Sequence, residues 1–251
     1  MMKTMKRWFI RPVAAGMVLL GAAACDDATG PGALDDAVLA DMALIAADAV
    51  IEDVAVMGLS LGAGPMAAAG MEGMFQSHRV VTFYDADGNE MSAYDPLLTD
   101  YVHFLLDIDR EVSRDGWTAT ISRSRDMIVS GLLGEEEFRT WNGTGEEDIS
   151  RSRHLEDGTV RNYDLNGTFT KEDVVVPAPG AESRWPVSGT ITRHLEVTID
   201  NGVDEPRVRV IDVVITFNGT SVVTAVVNGE TFEIDLATLA GRNPVRRHHG
   251  G

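Results

Sequence analysis

Two periods divide the chain. From residue 33 to 57, Ala, Leu, Val, Met and acids run on without Gly or Pro, a composition that favours helix. At 3.6 residues per turn, Asp41, Asp48 and Glu52 fall on one side. Apolar residues wrap most of the remaining circumference, so this helix must pack on something. From Arg79 onward the period is two. Val102, Phe104, Leu106, Ile108 and Val112 share a face of 101–112, and Tyr163, Leu165 and Phe169 share a face of 159–170. Ile191, Leu195, Val197 and Ile199 alternate with Thr192, His194, Glu196 and Thr198, as Phe232, Ile234 and Leu236 do with Thr231, Glu233 and Asp235. Such alternation predicts strands with one buried face. Asp87-Gly88, Asp115-Gly116, Asp157-Gly158, Asn218-Gly219 and Asn228-Gly229 supply tight turns. About ten strands result, at spacings typical of a sandwich or barrel.

No strand-helix-strand unit appears, which argues against a parallel α/β fold. The expected fold is mainly β: an antiparallel meander forming a sandwich or open barrel, preceded by an N-terminal helix. The divisions read as 1–24 signal peptide, 25–32 tether, 33–57 helix, 58–78 flexible connector, 79–241 antiparallel β-domain and 242–251 disordered tail. Six residues mark the connector: Gly58, Gly62, Gly64, Pro65, Gly70 and Gly73. The change of period across it predicts a β-domain that folds independently of residues 26–75. Gly-Thr recurs beside strand sequence at Gly143-Thr144, Gly167-Thr168, Gly189-Thr190 and Gly219-Thr220. Its irregular spacing fits glycines that turn or bend strands rather than a solenoid.

The start, Met1-Met2-Lys3-Thr4-Met5-Lys6-Arg7, is basic, and an apolar run from Val13 to Ala24 follows. A basic start, a short apolar run and small residues at its end make a secretory signal. The run is too short to cross ~30 Å of hydrocarbon as a helix. It ends in Leu20-Gly21-Ala22-Ala23-Ala24-Cys25, and Cys25 is the chain's only cysteine. This stretch resembles the lipobox of bacterial lipoproteins, with Ala22 where that family usually has Leu. The resemblance covers residues 1–25. It implies cleavage before Cys25 by signal peptidase II, diacylglycerol on the thiol, and often a further acyl chain such as palmitate on the new N-terminus. A lone thiol in an exported chain otherwise lacks a reason. The place so implied is the cell envelope, on a membrane and facing the periplasm or exterior. The rest of the chain resembles β-rich envelope lipoproteins of no assigned activity, a likeness that implies none here.

Residues 1–24 hold four of the 21 basic residues and none of the 39 acidic ones, which leaves 17 against 39 and a net charge of −22. Such a charge repels nucleic acid and anionic headgroups, so no nucleic-acid partner is expected. With no second cysteine, packing alone must stabilise the fold.

Candidate chemistry is sparse. Gly58-Leu59-Ser60-Leu61-Gly62 matches G-x-S-x-G, but that nucleophile needs a strand-to-helix turn in a parallel sheet. Here it lies in a Gly/Ala/Met connector before a meander. Asp85-Ala86-Asp87-Gly88-Asn89-Glu90 starts like a calcium loop. An EF-hand then needs Gly at position six and Glu at twelve, and Glu90 and Pro96 stand there. A hairpin turn explains the segment. Asp200-Asn201-Gly202-Val203-Asp204-Glu205 reads as a solvated acidic turn rather than a weak calcium site. His154 and His194 could share a metal only if they met across a sheet; polar-face positions explain both. His78, His103, His248 and His249 form no ligand spacing. Asn142, Asn166 and Asn218 sit in N-x-[ST] sequons, which a bacterial lipoprotein signal makes irrelevant to glycosylation. No catalytic residue, cofactor or metal is expected.

Three functions remain. The first is a lipid-anchored envelope protein acting as a non-enzymatic binding or structural module, for an envelope protein or polymer. The second is a carrier of lipid or another hydrophobic ligand in an open β-barrel cavity. The third, least supported, is an envelope hydrolase, which needs Ser60 beside a histidine and an acid.

Overall fold

A computed structural model describes residues 36–58, 76–114, 116–202, 204–237 and 245–247. Cys25, the signal and tether, Ser60 with most of the connector, His248 and His249 lie outside the described residues. The helix α1 (Asp36–Met57) comes first. It is followed by β1 (Gln76–Asp85), β2 (Glu90–Met91), β3 (Thr99–Arg114), β4 (Trp117–Ser130) and β5 (Phe138–His154). Then come β6 (Val160–Pro177), β7 (Ser188–Asp200), β8 (Arg207–Thr216), β9 (Val222–Val227), β10 (Glu230–Asp235) and β11 (Val245–Arg247).

All the strands form one sheet, in the order β11-β10-β9-β8-β7-β6-β5-β4-β3-β1-β2, and every neighbouring pair is antiparallel. The protein is therefore mainly β, one helix followed by an open antiparallel meander. A single continuous sheet replaces the sandwich alternative. β1 begins at Gln76, three residues before the expected boundary. β11 lies within 242–251, and Val245–Arg247 pair with Phe232–Ile234, so these three residues are strand rather than disordered tail.

Turn chemistry follows the sequence. Asn228 and Gly229 both take positive φ, 47° and 87°, as a two-residue type I′ hairpin requires. Three of the recurring Gly-Thr glycines lie inside strands instead, Gly143 in β5, Gly167 in β6 and Gly189 in β7. Register shifts fall between Trp141 and Gly143 and between Glu172 and Val175, and these bend the long strands.

The sheet wraps around α1. Side chains of α1 pair with residues on β3, β4, β5, β6 and β7, and the helix also touches β9. Flat strands from β3 to β9 would span roughly 29 Å, far more than a helix of about 10–12 Å. The sheet must curl to bring them all to one helix. The helix and the inner face share one core, in which Ala43, Ala47 and Val50 of α1 join Phe104, Trp141, Ile191, Ile215, Val223 and Ile234. The strands thus have no core separate from α1.

Candidate functional site

The inner face carries a feature that the period-two reading passes over. Arg123 and Arg125 occupy inward positions of β4 between Ile121 and Met127. Glu147 does so in β5, Lys171 in β6 and Arg193 in β7. Their partners are the helix acids. The acidic side of α1 turns inward: Asp41, Glu52 and Asp53 are all buried.

At the centre lie three carboxylates and four cations, with every side chain at 3% exposure or less. Arg123 donates from Nη1 to Glu52 at 2.7 Å and from Nε to Glu147 at 3.0 Å. Arg125 donates from Nη2 to Glu52 at 2.9 Å and to Asp53 at 3.0 Å. Arg193 donates to Glu147 at 2.6 Å and also to Asp53. The Lys171 ammonium stands 3.0 Å from Asp53. Arg110, at the margin, pairs with Glu52. Toward the start of the helix, Asp41 accepts from Arg161 and Tyr163 and pairs with Arg153, while Asp48 pairs with Arg151. The Arg151 and Arg153 guanidiniums lie over the Trp117 ring, at 4.6 and 5.3 Å from its centroid.

One cross-strand row organises the centre. Arg125, Gly145, Phe169 and Arg193 are successive register partners on β4, β5, β6 and β7. Gly145 has no side chain, so the Phe169 ring lies over it. A Cβ at Gly145 would stand 2.4 Å and 2.5 Å from two atoms of that ring. Arg193, Lys171 and Arg125 surround the ring, at 5.0, 5.8 and 6.0 Å from its centroid, within cation–π range.

Burial sets the protonation states, and the partners reverse it for the acids. Desolvation is the largest effect on Asp53 and would raise its carboxyl. Lys171, Arg193, Arg125 and Arg123 together hold it far below the ordinary range. Glu52 is lowered likewise against desolvation, by Arg123, Arg125 and Arg110, and Glu147 by Arg193 and Arg123. Lys171 goes the other way. Burial outweighs Asp53 and holds its ammonium down to about 8. The centre thus keeps its carboxylates ionised and can bind counter-charge; its one group that titrates near neutrality is Lys171.

The sequence candidates fall elsewhere. His194, mid-β7, pairs with Asp212 at 2.7 Å on the outer face. His154 ends β5 opposite Val160, whereas His194 faces Thr168. Eight residues of β6 separate those positions, roughly 26 Å along a strand, so the two histidines do not meet. His103 pairs with Asp126 at 2.6 Å. Among the described residues, no group of three or more His, Cys, Asp or Glu could hold a metal. In the β1–β2 turn the Asp85 carboxylate accepts from the Asp87 and Asn89 backbone N–H groups and from the Asn89 amide. Asp200 and Asp204 are engaged likewise by Gly202, Asn201 and Arg207. Both are turns built on their own carboxylates. The sequon residues Asn142 and Asn166 bond to Asp173 and Asp148, and Asn218 supports its own turn.

Compared with protein-family models, with curated proteins and with solved structures, the chain matches none. No described helix is long and apolar enough to cross a membrane.

Proposed function

We propose that the chain is a lipid-anchored cell-envelope protein whose β-part serves as a non-enzymatic binding or structural module. The observation that carries the anchor is the basic start and apolar run ending in Ala22-Ala23-Ala24-Cys25. The interior supports the module. Its carboxylates are paired with buried cations and its apolar side chains are packed on α1, so macromolecular partners are left to the outer face and the loops.

The anchor is tested by labelling cells with a fatty-acid analogue. Label should enter the wild-type chain and be lost in Cys25→Ser; equal label in both would overturn the anchor. The hydrolase alternative predicts fluorophosphonate labelling that disappears in Ser60→Ala and persists in Ser221→Ala, and we expect no labelling at all.

The carrier reading draws on the curl of the sheet. In this structure α1 occupies the enclosed space, with Ala43, Ala47 and Val50 wholly buried. A ligand of acyl-chain size would have to displace the helix. Native mass spectrometry of the gently extracted protein separates the readings, since a co-purifying non-covalent lipid would favour the carrier.

A further inference from the structure

We propose that the interior binds one small monovalent anion, of the chloride or bromide class, against Arg125, Lys171 and Arg193. Charge balance carries the proposal. Glu52, Asp53 and Glu147 face Arg123, Arg125, Lys171 and Arg193, which is three negative charges against four positive ones among the described residues. Arg110, at the margin and 24% exposed, pairs with Glu52 and feels Asp48 as well, so it stands outside this count. An unbalanced charge is far costlier in a dry interior than in water.

The donors give a second, independent observation. Arg125 Nε and Nη1 and Arg193 Nε have no hydrogen-bond acceptor among the described residues, although both side chains are at least 99% buried. Buried N–H groups of charged residues are expected to find partners. A water molecule can accept from them but brings no charge. The Phe169 ring attracts the cations through its π-face but carries no net charge. A small anion does both. Size follows from packing. Phe169, 1% exposed, fills the row between the two guanidiniums, which favours a halide over a phosphate or a larger organic acid.

The same centre has a second way to balance itself, because Lys171 can lose its proton. The groups around that ammonium are Asp53 from α1, Arg125 from β4 and Arg193 from β7. Anion binding should therefore weaken as pH rises above about 8.

The test is a thermal melt of the full chain at constant ionic strength and about pH 6, where Lys171 is charged, exchanging sodium gluconate for sodium bromide. The expected result is a saturable rise in Tm of roughly 2–6 °C in bromide, absent in Lys171→Met, whose centre is already balanced. No saturable rise in the wild type, or an equal rise in Lys171→Met, would overturn the proposal. Should Lys171→Met fail to fold, wild-type crystals grown with bromide decide the matter. An anomalous peak within hydrogen-bond reach of Arg125 and Arg193 supports the site. Peaks on exposed surface alone, an adventitious ion only, overturn it.

Discussion

The two faces of the sheet make the same kind of bond in different surroundings. On the outer face His194 and Asp212 lie 2.7 Å apart with side chains 65% and 64% exposed. On the inner face Arg125 and Asp53 lie 3.0 Å apart with neither exposed at all. The shorter contact is the one whose loss should cost less. Outside, water solvates either partner when the other is removed, and such pairs contribute about 0–1 kcal/mol. Inside, removing one partner strands the other in a low-dielectric core. Separation does not rank these contacts; what replaces the lost partner does.

The largest expected effect comes from removing α1 altogether. A chain of residues 76–251 keeps Arg123, Arg125, Lys171 and Arg193 but loses Glu52 and Asp53. The change of period at the connector suggests that the strands fold without the helix, but the shared core and the stranded cations argue that they do not. We expect no cooperative thermal transition in circular dichroism; a sharp melt would show that the sheet can reorganise its interior unaided.

Next comes Asp53→Asn, nearly isosteric, which leaves Lys171, Arg193 and Arg125 short of a charge. A loss of about 3–5 kcal/mol is expected in urea unfolding, the usual result of breaking a buried pair from one side. The matching outer change, Asp212→Asn, should cost about 1 kcal/mol or less. Equal costs for the two would remove the distinction between the faces.

Gly145→Ala tests the row on which the centre is built. Its Cβ meets the Phe169 ring and the Ser124 carbonyl, and overpacking of this kind costs about 1–3 kcal/mol. Adding Phe169→Leu should recover part of the loss.

The pH dependence has a fixed sign. Glu52, Asp53 and Glu147 have lowered folded pKa values, so the unfolded chain binds more protons in acid. Their stabilisation is complete above the ordinary carboxylate range and is lost as pH falls below it. Lys171, lowered to about 8 from 10.5, also binds more protons unfolded, so stability should rise again between those values. Melts across pH should show both rises, and Lys171→Met should remove only the alkaline one.

Much of this architecture is legible in the sequence. The alternation of Ile191, Leu195 and Val197 marks β7, and Asn228-Gly229 marks its hairpin, because local backbone and burial preferences act over a few residues. The centre is less legible, although its signal is present. Arg193 sits two residues from both Ile191 and Leu195, in the inward register, and Arg123 and Arg125 break the apolar stripe of β4 in the same way. A charge at an inward position is evidence of a buried partner. The partner could not be named, because it lies on a helix 72 residues from Arg125 and 140 from Arg193. Asp41, Asp48 and Glu52 read correctly as one side of the helix, yet only the curl of the sheet turns that side inward. His154 and His194 show the converse: two histidines on nearby strands were separated by register, which no local pattern records.

The position of α1 in the chain has a consequence for assembly. The acids are made first, and their last buried counter-charge, Arg193, follows 140 residues later. Until β7 is in place, Asp53 lacks a full set of partners, and a carboxylate without them gains nothing by leaving water. Premature closure around the helix is therefore penalised. Such late, long-range contacts make folding slow, since the loop must close before any reward is collected. They also make it close to all-or-none, because the buried charges are matched only when the wall that encloses the helix is nearly complete.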